Sequence, residues 1–109
     1  MNLTYFNEHL HEELNDAKAY MDKAIESKIH HPEWVHMFVS MADGEIKHAT
    51  ILMTMMEQCI KANKSVSSSI ISPSGMETSI NTTPESTYKD CMKAYGETMT
   101  YVTNLKRGL

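Results

Sequence analysis

Three side chains on two helical faces have the types and spacing to hold a metal ion: Glu13, Glu45 and His48. Glu13 falls in the series Phe6, Leu10, Glu13, Ala17, Tyr20, Ala24, whose steps follow one face of a helix. A carboxylate on such a face carries a desolvation penalty large enough to neutralise it or turn it outward, unless a cation or strong donors meet it. The anomaly repeats further on, where Glu45 and His48 interrupt the apolar series between Met41 and Leu52. Three positions apart, they share one side of a helical turn. A carboxylate and a neutral imidazole so placed can ligate one divalent cation. The competing reading is an exposed pair at the border of a broad apolar stripe, an arrangement that helices show routinely.

The elements that must position these residues follow from periodicity and punctuation. A first helix is expected over about 4–28, ending near His30 and His31 because Pro32 disfavours helical geometry in the residue before it. Pro32 itself suits the first position of a second helix, expected over about 32–62, with Phe38, Met41, Ala42, Ala49, Leu52, Met56 and Cys59 as its stripe. Gly44 inside it costs roughly 1 kcal/mol against Ala, and it leaves room for a neighbouring helix to approach. If the turn is centred near His30, Glu13 lies seventeen residues before it, and Glu45 and His48 lie fifteen and eighteen after it. Antiparallel packing then brings all three to one level, within about 3 Å at ~1.5 Å per residue. The three together therefore say more than any one of them.

From 63 to 83 the chain is rich in Ser and Thr, contains Pro73 and Gly75, and shows no helical period. It reads as a linker that could span roughly 70 Å when extended, enough to carry the chain back along a bundle. Thr82 or Thr83 with Pro84 and Glu85 marks the start of a third helix, expected over about 84–105, with Tyr88, Met92, Tyr95, Met99 and Val102 as its stripe and Gly108 as its stop. Glu97 lies nearly opposite that stripe and makes, with Asp90 and Asn104, a polar seam that reads as a solvated face. The whole of 1–109 is expected to be one all-α domain.

Composition sets the outer limits. In 109 residues, 41% are hydrophobic and 22% charged, with four Gly and three Pro, as in a folded helical domain. Three helices of this size make a modest core, so self-association is expected. The net charge of −4, with ten scattered Lys and Arg, gives no footprint for nucleic acid. No apolar run reaches the ~20 residues of a membrane span and no leader pattern opens the sequence, which makes the cytoplasm the expected compartment. Cys59 and Cys91 read as free buried thiols, the ten Met as flexible core filler, and His9, His11, His30, His31 and His36 as surface residues. Asp16 is near Glu13 in phase and stays outside the ligand set.

The spacing of Glu13 and Tyr20, followed by Glu45-Ile46-Lys47-His48-Ala49, resembles the first half of the ferritin, bacterioferritin and rubrerythrin superfamily. The resemblance covers roughly residues 5 to 60. It implies an antiparallel helical hairpin, a di-iron site with Glu13, Glu45 and His48 as ligands, manganese as an alternative metal, and a supporting role for Tyr20. Full-length members carry a third-helix Glu, for which Glu97 is the candidate despite its place on the polar seam, and a second Glu-x-x-His on a fourth helix, for which this sequence offers no helix. A homodimer would restore four Glu and two His within a four-helix bundle. In this the chain is similar to the half-length encapsulated ferritins, and residues 102–108 faintly resemble their shell-targeting tails. The activity implied is oxidation of ferrous iron or handling of peroxide. The alternative is a non-enzymatic helical assembly protein whose metal site is vestigial or absent.

Overall fold

A computed structural model of the chain describes residues 3–67 and 83–109. They form three helices, α1 (Thr4–His30), α2 (Pro32–Ser67) and α3 (Pro84–Arg107), and no strand occurs among the described residues. No described helix is long and apolar enough to cross a membrane.

The helix ends sit where backbone chemistry puts them. α1 stops at His31, whose N–H donates to Ser27 O at 2.8 Å, one residue before Pro32. α3 starts from Thr83, whose hydroxyl accepts from Ser86 N–H at 3.0 Å, with Pro84 next in line. α2 continues to Ser67 instead of ending at Ala62, so 63–67 are helix and not linker. The remainder of the expected linker, 68–82, lies outside the described residues.

Cross-helix pairs fix the directions. Tyr20 stacks on Phe38 with centroids 6.5 Å apart, while Glu13 meets His48, so α1 and α2 run antiparallel. Thr50 hydrogen-bonds Tyr95 at 3.0 Å and Lys106 donates to Asp43 at 2.7 Å, so α3 runs antiparallel to α2. The Cys91 thiol donates to Asn7 Oδ1 at 3.2 Å, Tyr101 donates to Asp22, and Lys28 donates to Gly108 O at 2.6 Å, so α3 lies parallel to α1. α3 therefore begins beside the far end of α2 and returns along it. The chain between them has no need to travel the length of the bundle.

The core is built from Leu10, Leu14, Ala17, Met21 and Ala24 on α1, Ala42, Ile46, Ala49, Met56 and Ile60 on α2, and Cys91 and Val102 on α3, with Leu3 closing one end. This is close to the expected stripes but rotated. Leu14 and Met21 form the middle of the α1 face, with Glu13 and Tyr20 on its border. On α3 the buried line runs through Cys91, Thr98 and Val102, leaving Met92 exposed. Met41 and Met55, expected as core, are exposed too, so only part of the methionine set fills the interior. Cys59 and Cys91 are both free, Cys91 buried and Cys59 half-buried. A Cβ at Gly44 would meet nothing within 4 Å, so no other part of the described chain approaches there. Val102–Arg107 are the last turns of α3 and not an extended tail.

Candidate metal centre

The α1–α2 register brings Glu13, Glu45 and His48 together at the edge of the core. One ligating atom from each lies within 4.8 Å of the others. His48 Nδ1 is 3.4 Å from Glu45 Oε1 and 3.6 Å from Glu13 Oε1. The acids are largely covered, with side-chain exposures of 24% for Glu13 and 18% for Glu45, whereas His48 is 59% exposed. The cluster thus opens outward on the histidine side. Full exclusion from water, which the apolar stripes suggested, is not what the helices deliver.

Two carboxylates this close repel when both are ionised. The Glu45 carboxyl is pushed above its usual range, chiefly by a hydrogen bond with Glu13, then by burial and by the Glu13 charge, while His48 pulls it the other way. Among the described residues neither acid pairs with a lysine or arginine. The set is thus two acids and one imidazole with no fixed positive charge.

That donor set fits a transition-metal ion. Donors that each sit about 2.1 Å from one ion are at most about 4.2 Å apart, so a spread of 4.8 Å closes with small side-chain rotations. Two oxygens and one nitrogen suit iron, manganese or zinc better than a soft ion such as copper(I). Three protein ligands also leave coordination positions open.

Tyr20, the expected supporting residue, stacks on Phe38 two helical turns along α1 from Glu13, and no hydrogen bond joins it to the cluster among the described residues. Asp16 and Glu97 are exposed and stand apart from the three. His30, His31 and His36 are exposed as expected. His9 has a different setting. With Tyr5, Ile51 and Leu52 it lines an open pocket of about 200 Å³ whose remaining walls are Glu13 and His48. The signal in the sequence was its position four residues before Glu13, which puts both on one side of α1. No family model, curated protein or solved structure matches the chain.

Proposed function

We propose that this chain is a ferritin-like metalloprotein in which Glu13, Glu45 and His48 bind iron and support ferroxidase-type oxidation, with a second copy of the chain supplying the other half of a di-iron site. The observation that carries this reading is the convergence of two acids and an imidazole from two helices, with the Glu45 carboxyl strained toward protonation by its neighbour. A divalent cation is the species that relieves this strain, since it meets both carboxylates at once. Glu13 and Glu45 would balance the metal charge and His48 would add a neutral nitrogen. Bound iron would supply the electron and the open positions for an oxidant; manganese suits the same donors. Two free thiols fit a reducing, cytoplasmic setting.

The test is anaerobic titration with ferrous ion followed by metal analysis. About one iron per chain is expected, falling to background in Glu45→Ala, and ferrous oxidation should drop at least tenfold in His48→Ala. Metal-free protein that behaves identically with and without Glu45 would overturn the reading. One observation favours a second reading, a non-catalytic assembly module: Trp34, Met37, Met41, Ile51 and Met55 leave α2 with a strongly apolar exposed side, which calls for a protein partner whether or not metal is bound.

A further inference from the structure

The geometry points to a pH-operated clasp at the α1–α2 corner: protonated His31 holds Trp34 by its ring face, and with it the wall that Trp34 gives to the apolar groove of Met37, Phe38 and Met41. The inference stands apart from the metal reading, since Glu45, the nearest of the three ligands along α2, follows Trp34 by eleven residues, about 16 Å at ~1.5 Å per residue. What carries it is the way the two rings meet. Their centroids are 3.7 Å apart and their planes 10° from parallel, one ring squarely over the other. Two neutral aromatic rings avoid that sandwich in favour of offset or edge-to-face contact, because their negative faces repel. A cationic ring seeks it, because the indole face is the best π partner for a positive charge.

The backbone brings the rings together whatever the charge. Pro32 ends α1 at this point, the His31 N–H donates to Ser27 O at 2.8 Å, and the His31 carbonyl accepts from Trp34 N–H at 2.9 Å. The pH therefore acts on the strength of the stack and not on its assembly. Charged and titratable groups of all three helices gather around the corner. On α2, the Glu33 carboxylate lies 3.7 Å from His31 Nδ1 and favours the cation, and His36 follows further along. On α1, the C-terminal carbonyls also favour it, while Lys28 and His30 in the last turn oppose it. α3 brings Lys106 and Arg107 to the same end, but the Lys106 ammonium is held by Asp43 at 2.7 Å and that of Lys28 by Gly108 O at 2.6 Å. The clasp thus closes as pH falls through the ordinary imidazole range, roughly pH 7 to 6, and loosens as pH rises. Trp34 is 42% exposed beside a groove of about 260 Å³, so a released indole is free to turn and the groove loses that wall.

Trp34 is the one tryptophan of the chain, so its fluorescence tests the clasp without a label. Between about pH 8 and about pH 5, a span that brackets the imidazole range, emission from the intact chain should fall in one step, because an imidazolium quenches an indole stacked on it. Over the same step the released fraction should drop about two- to fivefold, the worth of an exposed cation–π contact, and acrylamide should quench the remaining emission less well. His31→Gln should remove the step and leave acrylamide access independent of pH. His31→Lys, whose charge does not titrate in this range, should keep Trp34 screened throughout. Glu33→Gln should move the step to lower pH, and His30→Gln and His36→Gln should leave it in place, with circular dichroism verifying the helices of each variant. Emission that does not change with pH, a step that survives His31→Gln, or a His31→Lys chain as open to acrylamide as His31→Gln overturns the inference.

Discussion

At the scale of single residues, Glu45 decides how the centre responds to pH. Its carboxyl is raised above the usual range by the hydrogen bond with Glu13, by burial and by the neighbouring charge. The folded, metal-free chain therefore holds that proton more tightly than the unfolded chain does. The resulting stability is present below the ordinary carboxylate range and is lost as pH rises through the raised value. Metal binding runs the other way, because the ion competes with the proton and gains as pH rises through the same window. Replacing Glu45 with Gln should flatten this part of the metal-free stability profile and raise stability at neutral pH by a few tenths of a kcal/mol up to about 1, the range of partly exposed charge pairs. Thermal melts of the two proteins without metal, between about pH 4 and about pH 7, measure the difference; a variant less stable than wild type at neutral pH would show that Glu45 is satisfied without a cation. The thiols give a second residue-scale contrast. Burial, then the charge of Asp90, pushes the Cys91 thiol up, and its proton is given to Asn7. Under native conditions iodoacetamide should modify half-buried Cys59 well before Cys91, as mass spectrometry of timed samples would record.

At the scale of the helices, packing is concentrated where the sequence was harder to read. Leu14 is 2% exposed at the centre of the α1 face, and Leu14→Ala should cost about 2–5 kcal/mol in a urea titration. Gly96 lies exposed in the middle of α3, and a Cβ added there would meet nothing within 4 Å, so Gly96→Ala should gain about 0.5–1 kcal/mol from helix propensity alone. The α1–α2 boundary and the start of α3 could be located beforehand because they depend on local chemistry, Pro32 after His31 and a capping Thr before Pro84, whereas the end of α2, which no such residue marks, runs five residues past the expected Ala62. The phase of each buried face could not, because it depends on which neighbour lies where. α1 is met by α2 on one side and by α3 on another, through Asn7 and Asp22, and that second contact draws Leu14 and Met21 to the centre. On α3 the buried line passes through Cys91 and Thr98, which an apolar count undervalues. Glu13, Glu45 and His48 were legible because they break a pattern on two helices at one level. His9 breaks none and gains meaning only from the pocket it shares with Glu13.

At the scale of the molecule, α2 has one side that the described residues leave uncovered. Trp34, Met37, Met41 and Met55 recur there at steps close to the 3.5-residue period of a helix–helix seam, with Glu45 and His48 in the middle of the line. Trp34, Met37, Phe38 and Met41 frame an apolar groove of about 260 Å³ at one end of it. Two copies related by a twofold axis near Glu45 and His48 would lay Met41 of each toward the Leu52 end of the other, and would set the two ligand sets face to face. The strip from Trp34 to Met55 is about 32 Å long at ~1.5 Å per residue, and with α1 alongside it is roughly 20 Å wide, which gives roughly 600 Å² per copy. That approaches the ~800 Å² per partner of a stable interface, so a metal ion tied to both copies would strengthen the pairing. The chain should therefore sediment at twice its mass at micromolar concentration, more completely with iron than with a chelator. Met37→Glu, more than two helical turns from Glu45 and 60% exposed in the single chain, should leave the helices folded by circular dichroism. It should shift the sedimenting species to one chain and weaken iron binding at least tenfold, because each copy then offers only three ligands. A Met37→Glu chain that stays paired would place the interface elsewhere, and a single chain that binds iron as tightly as wild type would show that the centre is complete within one copy.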